Sequence, residues 1–152
     1  MGQLLHERHW LLATAESCTG GWVAKILTDI VGSSAWFERG FVTYTNIAKQ
    51  EMLGVNVTII DKHGAVSELT VREMARGALK NSHAHISLAI TGIAGPGGGS
   101  EVKPVGTVWF AWAVRDNDEI RCADHLFAGD REAVRRQAVM TALEGVKACL
   151  AK

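Results

Sequence analysis

The stretch WLLATAESCTGGWVAKILTDI, residues 10–30, decides the fold. Residues 10–16 form an apolar run of strand length, which is typical of a strand buried on both faces. From Val23 to Ile30 the apolar side chains recur at helical spacing, which predicts a helix. Between the two, residues 14–21 read TAESCTGG, so a serine, a cysteine, a threonine and two glycines stand where the strand gives way to the helix. In open α/β sheets, ligands usually bind at such a place.

Strand and helix patterns continue to alternate through the first two thirds of the chain, and a hairpin follows. The further predicted strands are residues 35–45, 85–91, 105–114 and 120–127. The further predicted helices are a short one from its N-cap Asn46 to a stop at Gly54, one over residues 67–82 with Ser67 as N-cap, and a long one that begins at Asp130. Residues 55–66 are predicted to be a loop. We expect a single domain over residues 1–152 with an α/β fold, a three-layer α/β/α sandwich whose mixed sheet is mostly parallel.

Composition narrows the class of protein. The chain has 152 residues, of which 47% are hydrophobic and 21% charged, and its formal net charge is zero. This is a globular composition, and the balanced charge argues against broad binding of nucleic acid. No apolar run approaches the roughly 18 residues that a membrane span requires, and no signal-peptide pattern is present. The three cysteines, Cys18, Cys122 and Cys149, lack the spacing of a metal site, so free thiols in a reducing cytoplasm are the simplest interpretation.

Ser17 has two interpretations. In the first, Ser17 and Thr19 cap the helix that follows. In the second, Ser17 is a nucleophile, and the unpaired backbone amides after it stabilise an oxyanion, with Cys18, Thr19 and Gly20 as the predicted donors. The residues alone leave both interpretations open.

A serine nucleophile needs a base, because a free hydroxyl is a weak nucleophile. The six histidines do not form a recognisable Ser-His-Asp set. Lys49 lies in a mostly apolar segment of the short predicted helix, where burial would lower the pKa of its amine and free it to act as a base. A solvated surface lysine is the alternative. Tyr44, the single tyrosine, precedes this helix, and a half-buried strand residue is its alternative role.

Two further features are candidates for binding an anion. Residues 92–104 contain five glycines and both prolines, and such loops expose backbone amides to phosphate, although a flexible connection or an interface loop is the alternative. Arg131 and Arg135 share a face in the first two turns of the last helix, where positive charge opposes the helix dipole. They require an anionic partner, either a ligand phosphate or a protein carboxylate.

Several stretches together resemble the CinA C-terminal domain family over about residues 10–148. They are, in order, TAESCTGG, GSSAWFERGFVTYTNIAKQEMLGV, HGAVSE, TGIAGPGGGSEVKPVGTVWFA and GDREAVRRQA. Within the family, the chain resembles the stand-alone bacterial members, since the longer members carry an N-terminal domain that this sequence does not show.

The resemblance implies an enzyme that hydrolyses the carboxamide of nicotinamide mononucleotide to the carboxylate and ammonia, in pyridine nucleotide recycling. Carried over by motif, Ser17 is the nucleophile, Lys49 is the general base, and Tyr44 lies beside them. Neither a metal nor another cofactor is implied. The candidate substrate contacts follow from position in the chain. Thr91 and Gly92, at the carboxyl end of their strand, are candidates near the nucleophile, and the candidates for the phosphate are the loop residues Gly95, Gly97 and Ser100 together with Arg131 or Arg135.

The expected partners are the small nucleotide substrate and a second copy of the chain, with no nucleic acid and no membrane. The homodimer is suggested by tryptophans at the predicted hairpin and by association within the family. One alternative is a non-catalytic or differently specific nucleotide-binding paralogue. Another is an interaction protein linked to DNA uptake, against which the zero net charge and the lack of a basic stripe argue.

Overall fold

A five-stranded sheet forms the middle layer of the computed structural model, which describes residues 1–151. The strands are β1 (Leu12–Glu16), β2 (Phe37–Val42), β3 (Ile86–Gly92), β4 (Thr107–Val114) and β5 (Ile120–Leu126). Their order across the sheet is β2-β1-β3-β4-β5. β1 pairs in parallel with β2 and β3, whereas β4 pairs antiparallel with β3 and β5. Four strands therefore share one direction and β4 alone opposes them, which confirms the predicted mixed and mostly parallel sheet.

Helices cover both faces of the sheet. They are α1 (Gly2–Glu7), α2 (Trp22–Thr28), α3 (Asn46–Leu53), α4 (Val57–His63), α5 (Glu68–Lys80) and α6 (Arg131–Leu150), with a 3-10 turn at Ser33–Ala35. α5 packs on one face with α3 and α4 beside it, and α2 and α6 pack on the other. This confirms the three-layer α/β/α sandwich. Within residues 1–151, no helix combines the length and the apolar character that crossing a membrane requires.

Side-chain size differs between the two faces of the sheet, because successive residues of a strand point to opposite sides. On β3 and β4, the face toward α6 carries the large apolar side chains Ile86, Leu88, Ile90, Val108, Phe110 and Trp112. The face toward α5 carries the small side chains Ala89, Ala111 and Ala113. The two strands are buried on both faces along most of their length, as the continuous apolar runs predicted.

The helix starts follow the polar residues of the sequence with one shift. Ser67 and Asp130 cap α5 and α6, and the side chain of each accepts a backbone amide of the first turn, as predicted. α3 begins one residue earlier than expected, because Thr45 and not Asn46 is its N-cap. The left-handed Gly54 ends α3 as predicted.

The predicted loop over residues 55–66 is wrong, because α4 occupies most of it. Four residues in succession from Val57 are threonine or aliphatic and mostly β-branched, and β-branched residues have a low helix propensity. The helix is nevertheless nucleated by Asn56, whose side chain accepts the amide of Thr58 at 2.8 Å. Ile60 is buried beneath it, so tertiary packing stabilises a helix that the sequence alone does not favour.

Candidate active site

Ser17 stands directly after β1, and main-chain hydrogen bonds hold it from both neighbouring strands. Its amide donates to the carbonyl oxygen of Ile90 on β3 at 3.0 Å. On the other side, the amide of Thr43, which follows β2, donates to the carbonyl oxygen of Glu16 at 2.9 Å. These two hydrogen bonds continue the main-chain pairing of β1 with its two neighbours for one residue beyond the end of the strands. Ser17 is therefore fixed where the carboxyl ends of three parallel strands meet, with 7% of its surface exposed.

The amine of Lys49 reaches Ser17 from α3. Its Nζ lies 3.1 Å from the Oγ of Ser17 and donates a second hydrogen bond, of 3.0 Å, to the carbonyl oxygen of Thr43. Lys49 is only 1% exposed and is the largest fully buried side chain among the described residues. A solvated surface lysine, the alternative raised by the sequence, is thereby excluded.

The surroundings of Lys49 favour an uncharged amine. Burial lowers the pKa of Lys49 below its usual value, and only a thiolate at the neighbouring Cys18 would oppose this effect, by a smaller amount. Burial raises the pKa of the Cys18 thiol to about 12, so this sulfur stays protonated near neutral pH and supplies no compensating negative charge. Within residues 1–151, no carboxylate forms an ion pair with Lys49. A neutral amine has two N–H donors and one lone pair, so it can bind Thr43 while its lone pair takes a proton from Ser17.

The start of α2 is capped by Glu16 and not by Ser17 or Thr19. The Glu16 carboxylate accepts the amides of Val23 and Ala24 at 2.9 and 3.1 Å. Glu16 is 1% exposed, and these two hydrogen bonds satisfy the charge of its buried carboxylate. The capping interpretation of Ser17 is therefore wrong, and its hydroxyl has Lys49 as its hydrogen-bond partner.

The backbone after Ser17 forms a turn whose amides differ in availability. The Gly20 amide donates to the Ser17 carbonyl oxygen at 3.0 Å, so the expectation that Gly20 supplies an oxyanion donor is corrected. Within residues 1–151, no other residue accepts a hydrogen bond from the Cys18 amide. The Thr19 amide donates no hydrogen bond to any of the residues that the structure describes. Cys18 and Thr19 thus keep donors next to the nucleophile.

The two arginines at the start of α6 make separate contacts. Arg135 donates to the carbonyl oxygens of Cys18 and Thr19 at 3.0 and 3.2 Å, and its guanidinium lies 5.4 Å from the ring centre of Trp22. Arg131 donates to the carbonyl oxygen of Gly95 at 2.8 Å and to the hydroxyl of Tyr44 at 2.9 Å. Neither arginine forms an ion pair with a carboxylate of residues 1–151, so the protein carboxylate considered for them is not their partner.

Tyr44 lies at the exposed rim and not in the dyad. More than half of its surface is exposed, and its hydroxyl accepts the bond from Arg131. Among the hydrogen bonds of residues 1–151, none joins Tyr44 to Ser17 or Lys49. Tyr44 follows β2 and Gly95 follows β3, so the Tyr44–Arg131–Gly95 bridge connects the loops on either side of the strand that carries Ser17.

Comparison with known proteins agrees with these observations. The CinA C-terminal domain profile matches residues 1–150. The chain belongs to this family. It is 60% identical over 144 residues to the nicotinamide-nucleotide amidohydrolase PncC of Escherichia coli (strain K12), which covers 95% of this chain and 87% of the relative. It is 49% identical over 146 residues to the PncC protein of Pseudomonas putida, over 96% of this chain and 90% of the relative. The crystal structure of the competence/damage inducible protein CihA from Agrobacterium tumefaciens superposes with a TM-score of 0.96 at 45% identity, covering 99% of this chain and 91% of that one.

The remaining predicted contacts of this CinA C-terminal domain have mostly structural partners. The hydroxyl of Thr91 donates to the carbonyl oxygen of Ala65 at 2.8 Å and so ties the segment before α5 to the end of β3. Gly92 has no room for a side chain, because a Cβ there would lie 2.7 Å from Val108 and 3.1 Å from the sulfur of Cys18. Close packing beside the Ser17 turn therefore explains this glycine.

The outer part of the glycine-rich loop is open. Gly97 is exposed with empty space around it, whereas Ser100 forms a local turn, since its amide and hydroxyl both bond to the backbone of Lys103. Sequence reasoning missed Lys103 itself, whose Nζ donates to the carbonyl oxygen of His63 at 2.7 Å. This bond anchors the loop to the carboxyl end of α4, and it was not foreseen because α4 was not predicted.

Two other common marks of a functional site, a cluster of metal-ligating residues and a large cavity, do not coincide with the dyad in this CinA C-terminal domain. Within the described part of the chain, no group of three or more His, Cys, Asp or Glu residues is placed to hold a metal ion. A cavity of about 450 Å³ lies between α5 and the β4–β5 hairpin, and its lining includes Arg76, Leu79 and Arg115 but neither member of the dyad. The candidate site is therefore defined by chemistry, namely a buried amine in contact with a hydroxyl.

Proposed function

We propose that the protein hydrolyses the carboxamide of nicotinamide mononucleotide to the carboxylate, with Ser17 as nucleophile and Lys49 as general base. The observation that carries this proposal is the 3.1 Å contact between the Ser17 hydroxyl and a lysine amine that is buried without a carboxylate partner in the described chain. The relatives named PncC support the substrate, because each is named a nicotinamide-nucleotide amidohydrolase.

The first step transfers a proton and forms an acyl-enzyme. The neutral amine of Lys49 takes the hydroxyl proton as the Ser17 oxygen attacks the carboxamide carbon. The electron pair of the C=O bond moves to oxygen, and the amides of Cys18 and Thr19 are the proposed donors to this oxyanion. When the C=O bond re-forms, the C–N bond breaks and the Lys49 ammonium gives its proton to the leaving nitrogen, which departs as ammonia.

In deacylation, water takes the place of Ser17 as the nucleophile, and Ser17 becomes the leaving group. Lys49 is again neutral and takes a proton from water, and the resulting hydroxide attacks the Ser17 ester. The tetrahedral adduct then collapses, Ser17 recovers its proton from the Lys49 ammonium, and the acid product releases its own proton to solvent and departs as the carboxylate. The Thr43 carbonyl keeps the amine directed at Ser17 in both halves of the reaction, because it binds one N–H at 3.0 Å. A relay through Tyr44 is unnecessary, since Lys49 contacts the reacting hydroxyl directly.

We assign the substrate phosphate to Arg131. It is exposed, and its two hydrogen bonds to Tyr44 and Gly95 leave further guanidinium donors for an anion. The bridge lies between the loops that follow β2 and β3, on either side of the Ser17 strand. In this arrangement Tyr44 and the loop around Gly95 and Gly97 would surround the ribose phosphate, while the ring carboxamide reaches Ser17.

Ammonia release from nicotinamide mononucleotide tests the proposal. The wild type is expected to release one ammonia for each nicotinic acid mononucleotide formed, and Ser17→Ala to release none above background. Ser34→Ala is the matched control, because Ser34 is exposed and none of the described residues hydrogen-bonds to its side chain. A wild type that binds the mononucleotide without releasing ammonia would favour the non-catalytic paralogue. Release from another carboxamide alone would favour different specificity.

Two properties accompany this proposal as predictions. We expect a homodimer, for which sedimentation equilibrium at assay concentration is the test. We also expect the protein to work in a reducing compartment and without a metal, so activity should survive a chelator and a thiol reductant. The buried, protonated Cys18 beside the nucleophile is consistent with the second expectation.

A further inference from the structure

In the turn at residues 17–20, the carbonyl oxygens of the first three residues each accept a hydrogen bond. The Ser17 carbonyl oxygen accepts the Gly20 amide, and the Thr19 carbonyl oxygen accepts the Trp22 amide at 3.0 Å. Arg135 supplies the remaining donors, since its Nε binds the Cys18 carbonyl oxygen and its Nη2 binds that of Thr19. The Cys18 carbonyl has Arg135 as its one donor among the described residues.

The direction of these carbonyl groups fixes the direction of the amides. In a planar trans peptide, the C=O and N–H bonds point to opposite sides. The Cys18 carbonyl points at Arg135, so the Thr19 amide points away from it. Together with the bond from Gly20 to Ser17, this leaves the amides of Cys18 and Thr19 on the side of the turn away from α6.

Arg135 is itself held in place. Its guanidinium stacks over Trp22 at 5.4 Å, and α6 presents it from its second turn. It is half-buried, whereas Arg131, one turn earlier, is exposed and contacts Tyr44 and Gly95. The two arginines that the sequence offered as equivalent phosphate ligands therefore have different surroundings, and those of Arg135 are main-chain carbonyl groups.

We propose that Arg135 is a positioning residue: it holds the Ser17–Gly20 turn so that the Cys18 amide, with the Thr19 amide beside it, is directed at the oxyanion of the reaction. This inference rests on the proposed function, because the oxyanion belongs to that reaction. The role of Arg135 in holding the turn is argued from the hydrogen bonds of the turn itself. The charge of the guanidinium acts in the same sense, because it also favours negative charge at Cys18, where it opposes the effect of burial on the thiol pKa.

A probe that needs Ser17 and the oxyanion donors, but no phosphate ligand, tests this role. Pyridine-3-boronic acid resembles the pyridine ring of the substrate and carries neither ribose nor phosphate. Its trigonal boron accepts the Ser17 oxygen and becomes a boronate anion, while the released proton goes to Lys49. Boron NMR and a binding titration of the full-length protein measure the Ser17-dependent tetrahedral adduct.

The proposal predicts that Arg135→Gln weakens the adduct by about 10-fold or more. This is less than the roughly 10²- to 10³-fold cost of removing an oxyanion donor, because the amides are displaced and not removed. Arg135→Lys should weaken it to a similar extent, because an ammonium keeps the charge but lacks the planar pair of donors that bridges two carbonyl oxygens. Arg136→Gln is the matched control, since Arg136 is exposed on the same helix and none of its described neighbours hydrogen-bonds to its side chain. Thermal melts establish that each variant is folded at the titration temperature.

Kinetics give the second comparison. Arg135→Gln should lower kcat for nicotinamide mononucleotide and for nicotinamide riboside by the same factor, with KM nearly unchanged, because the lost interaction belongs to the transition state. A KM increase confined to the phosphorylated substrate, with kcat and the boronate affinity unchanged, would identify a phosphate ligand and overturn the proposal. Full boronate affinity in Arg135→Lys, or absence of a Ser17-dependent adduct in the wild type, would also overturn it. If the wild type hydrolyses neither substrate, the proposed function fails, and the boronate comparison still decides the role of Arg135.

Discussion

Lys49 and Ser17, 32 residues apart in the chain, meet in a hydrogen bond of 3.1 Å between the Nζ and Oγ atoms. The meeting follows from the sheet, because β1 and β2 are parallel neighbours and the residues after their carboxyl ends lie at one edge. Burial of an amine without a carboxylate costs free energy. A chain that accepts this cost at Lys49 gains an amine with a lowered pKa, so a larger fraction of it is neutral and able to take the serine proton.

Replacing Lys49 by arginine should abolish the reaction, because arginine places a permanent positive charge where the mechanism needs a neutral amine. A guanidinium stays protonated at the assay pH and has no lone pair for the Ser17 proton. We expect kcat/KM for nicotinamide mononucleotide to fall by at least about 10²-fold, the lower range for loss of a general base. Lys80→Arg, on the exposed end of α5, is the control. Activity within about 3-fold of the wild type in a folded Lys49→Arg protein would rule out a lysine base.

Lys49 should also make folding stability depend on pH in a defined direction. The amine titrates near 10.4 in the unfolded chain and at a lower pH in the native protein, so between these values the unfolded state binds more protons and stability rises with pH. The wild type should therefore gain stability relative to Lys49→Met as pH rises through this window, by up to about 1.4 kcal/mol per pH unit. Urea unfolding of both proteins measures the difference. Lys80→Met keeps Lys49, so the difference in stability between the wild type and Lys80→Met should not change with pH through this window. Parallel stability curves for the wild type and Lys49→Met would contradict a lowered pKa.

Arg131→Gln should discriminate between substrates with and without a phosphate. Loss of a charge-assisted hydrogen bond to phosphate costs about 1.5–3 kcal/mol, so kcat/KM for the mononucleotide should fall roughly 10- to 100-fold further than that for nicotinamide riboside. The loss should be mainly in KM. Arg136→Gln on the same helix should leave kcat/KM at the wild-type value for both substrates. Equal losses on the two substrates would show that Arg131 stabilises the Tyr44–Gly95 bridge and does not bind the phosphate.

Glu16→Gln should destabilise the fold through the cap of α2. The carboxylate accepts two buried amides, whereas a carboxamide can offer its oxygen to one of them and presents an N–H group to the other. We expect a loss of about 1–3 kcal/mol in the free energy of unfolding, measured as a lower urea midpoint with an unchanged slope. Glu144→Gln, at an exposed position of α6, should leave the midpoint in place. A Glu16→Gln midpoint equal to that of Glu144→Gln would mean that the cap contributes little.

Much of the architecture was predictable, because continuous apolar runs in the sequence indicate the buried strands. Residues 10–16 and 105–114 are such runs, and the structure places β1 and β4 within them. The same local reasoning failed at α4, because its β-branched residues disfavour a helix. The helix forms there because Asn56 caps it and Ile60 is buried. The Asn56 side chain was the one local indication of a helix start.

The site was predictable only in part, for a physical reason. Ser17 stands at a strand end and could be selected from the sequence, but the burial that makes Lys49 a candidate base depends on tertiary packing, because α3 packs on α5 and its lysine contacts the residues that follow β1 and β2. Availability of backbone amides is likewise a tertiary property, so the occupied amide of Gly20 was not foreseen. The different contacts of Arg131 and Arg135 have the same origin, because identical side chains one turn apart meet different loops.

The protonation state of Lys49 in the native protein is the most direct test of this account. Carbon-13 NMR of the lysine ε carbons, with Lys49 assigned by its absence in Lys49→Arg, gives the pKa of the amine. The account predicts a value below the usual value of about 10.4, coincident with the pH at which kcat/KM for nicotinamide mononucleotide reaches half its maximum. A Lys49 amine that titrates at or above about 10.4 would contradict it.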